Sequence, residues 1–217
     1  MTRQLADMGT TLPGLFASPP ERLPFAPSLS IRAFLLRRAQ GNLLVYSATT
    51  LEAEAIDDLG GISRHYLNHR HEAMFAPGSI AAPLFCHANE RESVARAGRV
   101  RAAFSRRHML DGDFEVIPTP GHTSGATAFL WDSGDHRLLF TGDTICLDHG
   151  EWVAAVLDSS DRSRYVESLE LMRELDFDML VPWAATEGKP YHAATSRADA
   201  RRRIEAILVR VRRGEAR

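Results

Sequence analysis

Residues 114–143 constrain the chain more than any other stretch. "FEVIPTPG" (114–121), "ATAFLWD" (126–132) and "RLLFTGD" (137–143) are three apolar runs of strand length, the last two joined by the turn sequence "SGDH". Short runs of this kind, bounded by glycine and turn residues, read as strands. Two of the three end in a glycine followed by a polar side chain: Gly121 precedes His122, and Gly142 precedes Asp143. Glycine reaches backbone conformations closed to other residues, so each can carry its neighbour through a tight turn at a strand end. The segment therefore predicts β-structure that delivers a histidine and an aspartate to strand termini.

The flanking sequence alternates between strand and helix patterns. "SIRAFLLRR" (30–38) and "NLLVYS" (42–47), joined by "AQG", predict a hairpin. "TTLEAEAIDDLGG" predicts a helix opened by Thr49 and Glu52 in capping-box spacing and closed by Gly60 and Gly61. "ISRHYLNH" (62–69) and "PLFCH" (83–87) read as strands, and "NERESVARAG" as a helix that starts at Asn89. After the central strands come a helix over 161–175, the strand "FDMLVPW" and a long C-terminal helix. This order predicts an α/β (α+β) layered fold. Prolines 13, 19, 20, 24 and 27 predict an irregular arm over residues 1–29, with one domain over 30–217.

Bulk properties exclude several classes. A chain of 217 residues can bury a core without a disulfide or structural metal. Its net charge of −2 gives no overall attraction to nucleic acid or membrane. Cys86 and Cys146 lack CxxC spacing, which favours a reducing compartment, and no run approaches the roughly 18 apolar residues of a membrane span. A cytoplasmic protein acting on a small molecule is the expectation. The last helix holds eight arginines between Arg197 and Arg217, while Ile204, Ile207, Leu208 and Val211 form an apolar stripe. Without interleaved aromatic residues, this pattern favours an amphipathic helix docked on the domain over an RNA-binding element.

Four residues could share one chemistry: His69, His71, His122 and Asp143. In an extended segment residues i and i+2 face the same way, so His69 and His71 can aim at one point, whereas Glu72 should face away. Neutral imidazole suits zinc and iron, and a carboxylate completes a charged ligand set. His65 lies two strand repeats before His69 and reads as a partly buried histidine; His192 in "GKPYH" is a distant further candidate.

"HRH", "TPGHTSGATAFL" and "LLFTGDTI", in that order, resemble the metallo-β-lactamase superfamily. Its signature runs H-x-H-x-D-H, then P-G-H-T, then glycine-aspartate after a strand, then a late histidine. The resemblance extends from about Ser30 to Trp183. It implies a four-layer αβ/βα sandwich, a first metal site on His69, His71 and His122, and Asp143 as a catalytic carboxylate bridging toward a second metal.

The chain also departs from that signature. Ala73 stands at its aspartate, Met74 at its next histidine, Trp183 at a late glycine and Ala184 at the late histidine, and "VYSATT" lacks a further family aspartate. The expectation is at most one metal, zinc or iron, in a protein that hydrolyses a small substrate through a metal-bound water. Two alternatives stay open: a metal-free relative that binds a ligand or partner, and a mononuclear iron dioxygenase built on His69, His122 and Asp143.

Overall fold

The computed structural model describes residues 5–78, 80 and 82–215. Chain contacts divide into two units, Met1–Ser105 and Arg106–Arg217. The first contains β1 (Ala6–Asp7), β2 (Leu15–Ala17), β3 (Glu21–Leu23), β4 (Ala26–Ile31), β5 (Phe34–Leu36), β6 (Leu43–Val45), α1 (Ala53–Asp57), β7 (Arg64–Tyr66), β8 (Leu84–His87), α2 (Arg91–Val94) and β9 (Val100–Phe104). Single 3-10 segments cover Arg70–Phe75 and Ala88–Glu90. A sheet of order β1-β2-β5-β6-β7-β8-β9 organises the unit. It is antiparallel from β1 to β6 and parallel from β6 to β9.

The expected hairpin is present, with Phe34, Leu35 and Leu36 opposite Val45, Leu44 and Leu43. All six side chains are buried, which explains a continuous apolar run without alternation. The stretch expected to be an irregular arm instead forms β1 to β3 and opens β4. Pro13, Pro19, Pro20 and Pro24 fall in the connections, where their missing N–H groups interrupt no ladder, and Leu15, Phe16 and Ala17 are buried.

Two caps differ from expectation. Thr49 does not open α1, whose N-cap is Glu52 with no side-chain cap. Thr49 instead donates its Oγ1–H to Glu21 Oε1 at 2.6 Å. Asn89 does not cap the following helical turn; its backbone N–H donates to His87 Nδ1 at 3.2 Å.

The second unit contains β10 (His108–Leu110), β11 (Phe114–Pro118), β12 (Thr127–Asp132), β13 (Arg137–Gly142), β14 (Cys146–Asp148), β15 (Glu151–Val153), α3 (Arg162–Glu174), β16 (Met179–Pro182), β17 (Ala184–Thr186), β18 (Ala193–Ala194) and α4 (Arg197–Arg212). Strands β10 to β13 form an antiparallel meander, and β16 joins it parallel to β13. β14 pairs with β15 and with β17.

The long helices start at capped residues: Asp161 accepts from the Arg164 N–H at 3.0 Å and Ser196 from the Asp199 N–H at 3.2 Å. Tyr165, Leu169 and Met172 of α3 and Ile204, Ile207 and Leu208 of α4 are completely buried in one cluster. Each such side chain contributes roughly 1.5–3 kcal/mol through removal of apolar surface from water.

Candidate metal centre

In the second unit, His122 lies in the turn between β11 and β12, whose carbonyls are held by α3 and by the two residues that lead into it. The Gly121 carbonyl accepts the Asp161 N–H at 2.9 Å, the Pro120 carbonyl accepts the Ser168 hydroxyl at 2.6 Å, and the His122 carbonyl accepts the Ser160 hydroxyl at 3.1 Å. Gly121 has φ +146°, and a Cβ placed on it would come within 2.4 Å of Tyr165 Cα. Only glycine allows the turn to approach α3 this closely.

The His122 ring is 1% exposed, and its Nδ1 lies 2.6 Å from the Ala155 carbonyl oxygen. A carbonyl can only accept, so the proton sits on Nδ1 and Nε2 carries the lone pair. Nε2 is 3.7 Å from Asp143 Oδ2. Asp143 follows Gly142, which ends β13 at φ +57°. Its backbone is held by the buried Tyr165 hydroxyl, which reaches the Thr144 carbonyl at 2.7 Å and the Asp143 carbonyl at 3.2 Å. Burial, then the neighbouring Cys146 and Asp143, raise the Tyr165 pKa well above the usual phenol value, so it remains a donor. The Cys146 thiol points at Asp143 Oδ1 from 3.7 Å.

In the first unit, β7 stops at Tyr66 and the chain turns into the 3-10 segment Arg70–Phe75. His69 is extended, whereas His71 is already in the turn, so the two do not occupy alternate positions of one strand. Their rings still meet edge to face, with centroids 4.9 Å apart. The same turn overturns the expectation for Glu72. In a 3-10 helix residues i and i+3 eclipse, and Glu72 Oε1 lies 3.1 Å from His69 Nδ1 and 3.1 Å from the Asn68 backbone nitrogen. His69 and Glu72 are both completely buried. Sequence periodicity missed this contact because a strand pattern was extended through residue 71; a histidine with glutamate three residues on was the available signal.

His69, His71, His122 and Asp143 each offer one ligand atom, and these atoms lie within 4.8 Å of one another, a group that could hold a metal ion. Three imidazoles and a carboxylate match the preferences of zinc and iron. His65 and His192 are outside this group. His65 is buried with Nε2 2.7 Å from the Tyr46 carbonyl, and burial lowers its pKa to about 4. His192 stands edge-on to Tyr191, and burial lowers its pKa as well.

Of the four positions that depart from the signature, Ala73, Trp183 and Ala184 are packed and Met74 is not. Ala73 belongs to an apolar cluster with Leu67, Leu84, Cys86 and Val94. Met74 is 67% exposed. Trp183 and Ala184 are each 2% exposed, and the Trp183 N–H reaches the Gly142 carbonyl at 3.3 Å.

Comparison with known proteins agrees with the residue pattern. The chain is 34% identical over 111 residues to a hydroxyacylglutathione hydrolase of Xanthomonas axonopodis pv. citri, a match covering 51% of this chain and 37% of that protein. The chain thus spans little more than a third of the length of the curated relatives it matches. Among solved structures, a metallo-beta-lactamase from Hirschia baltica is similar with TM-score 0.68 and 15% identity, covering 94% of this chain and 97% of that one. ETHE1 from Myxococcus xanthus is similar with TM-score 0.60 and 17% identity, covering 90% and 89%. At these identities the structural matches establish the mixed α/β sandwich fold alone. Among the described residues, no helix is long and apolar enough to cross a membrane. The profile of the metallo-beta-lactamase superfamily matches residues 38–184, more than half of the sequence, and the chain belongs to that superfamily.

Proposed function

We propose that the chain is a hydrolase with a single metal ion held by His69, His71, His122 and Asp143. The observation that carries this reading is the grouping of four donor atoms within 4.8 Å. A divalent ion bound there would supply Lewis acidity and lower the pKa of water toward neutrality. The chain's own contribution is orientation. The Ala155 carbonyl sets the tautomer of His122, the Glu72 carboxylate sets that of His69, and Asp143 adds a partly exposed carboxylate able to accept hydrogen bonds at the same place.

One ion rather than two is supported by the chemistry of the substituted positions. Alanine at 73 and 184 offers no donor, and Ala73 is enclosed by aliphatic side chains and Cys86. The group contains three imidazoles rather than two, which favours hydrolytic chemistry over the iron dioxygenase alternative.

For substrate, the partial match to hydroxyacylglutathione hydrolases makes an acyl thioester of a small thiol the first class to test. The experiment loads chelator-stripped protein with Zn(II) or Fe(II), measures metal by elemental analysis, and follows hydrolysis of a hydroxyacyl thioester. About one ion per chain and metal-dependent thiol release are expected. Protein that stays metal-free after loading overturns the reading in favour of a metal-free binding protein. Fe(II)-dependent oxygen uptake without hydrolysis overturns it in favour of the dioxygenase.

A further inference from the structure

We propose that Glu72 is the positioning residue of this centre, a carboxylate that acts on the metal through His69 rather than by touching the ion. The inference rests on the metal reading above. Glu72 Oε1 accepts from His69 Nδ1 at 3.1 Å, so the imidazole proton is committed to Nδ1 and the Nε2 lone pair is left for a ligand. The same oxygen accepts the Asn68 backbone N–H at 3.1 Å, and Asn68 Oδ1 lies 3.0 Å from His69 Nδ1, so ring, carboxylate and turn hold one another. The Glu72 backbone N–H donates to the His69 carbonyl at 3.3 Å, which closes the turn.

The geometry is specific to a 3-10 turn. Three residues per turn stack Glu72 over His69, and the His69 and Glu72 side chains are fully buried. In a strand the glutamate would face the opposite way. Buried carboxylates demand compensation by donors or by positive charge. With neutral imidazoles, Asp143 and Glu72 together match the charge of one divalent cation. A carboxylate behind a ligating histidine raises the basicity of the ring and fixes its direction, and the loss of such a partner lowers metal affinity about 10–100-fold. The signature carries its carboxylate at position 73. Here that residue is Ala73, packed into the apolar cluster, and the carboxylate one residue earlier reaches Nδ1 of His69.

The test compares wild type with Glu72→Gln, which keeps the side-chain shape but removes the charge. Zn(II) affinity is measured on chelator-stripped protein against a competing chromophoric chelator, and the melting temperature of the metal-free form is recorded alongside. Binding weakened about 10–100-fold at unchanged stoichiometry supports the proposal. Unchanged affinity overturns it and leaves the metal centre standing, even where melting is altered, because a purely structural role moves only the melt. No Zn(II) uptake by wild type overturns the metal reading and this inference together. Should Glu72→Gln not fold, nitrogen-15 NMR of histidine-labelled wild type decides: an Nδ1–H tautomer of His69 supports the proposal and an Nε2–H tautomer overturns it.

Discussion

His122 Nδ1 and the Ala155 carbonyl oxygen, 33 residues apart in sequence, are joined across 2.6 Å. This contact makes the tautomer of one expected ligand a property of the backbone just beyond β15. The lone pair of His122 is therefore presented by the fold before any ion arrives.

Replacing His122 with alanine should reduce bound metal from about one ion per chain to a small fraction, and metal-dependent hydrolysis by about a hundredfold or more. The turn is held by contacts of residues 120–122 that are mostly backbone, so far-UV circular dichroism should stay unchanged. Full metal content in this variant would count against His122 as a ligand.

Gly121→Ala should be among the most damaging single-methyl additions. The new Cβ meets Tyr165 Cα at 2.4 Å in a backbone region that strains any L-residue. A cost of about 3 kcal/mol lowers Tm by roughly 6–12 °C in a chain of this size. A melt within one degree of wild type would contradict the close approach of this turn to α3.

The double substitution Ala73→Asp with Met74→His rewrites the signature at both positions, yet should not add a second metal equivalent. Position 73 lies in an apolar cluster, where a carboxylate costs on the order of 2–4 kcal/mol rather than reaching an ion. Elemental analysis giving two ions per chain would show that the cluster opens readily.

His65 should make the protein acid-sensitive. Burial lowers its pKa from 6.5 to about 4, so the folded state binds this proton less readily than the unfolded state. The resulting stability is fully present above pH 6.5 and is lost as pH falls from there toward 4, to a total on the order of 3 kcal/mol. Urea midpoints measured across this window should fall more steeply for wild type than for His65→Gln, which keeps a donor but does not titrate. Parallel pH profiles would assign the acid sensitivity to other groups.

How much of this was legible in the sequence depends on the range of the interactions involved. The strands β5, β6, β11, β12 and β13 were readable because apolar runs and turn residues are local signals. The grouping of His122 and Asp143 with the two earlier histidines followed from the family-like motif order, not from periodicity. Thr49 was misread because its partner is Glu21, 28 residues upstream. The N-terminal strands were missed because four of the five prolines, read as breakers, sit between the elements, and Pro27 is taken up near the start of β4. Glu72 was turned the wrong way because one short 3-10 turn changes the repeat from two to three residues just after His69.

Four of the six arginines of α4 stand against acids. Arg201 pairs with Glu174, Arg202 and Arg203 with Asp199, and Arg212 with Glu170 and Glu205. Opposite charges this close cancel within a Debye length, about 8 Å at physiological ionic strength. Pairing shortens the reach of those four guanidinium charges, while the sixteen residues of the helix, with six arginines against Asp199 and Glu205, stay cationic. Arg201 and Arg212 act as short-range fasteners between α4 and α3, each closing on a glutamate of the neighbouring helix.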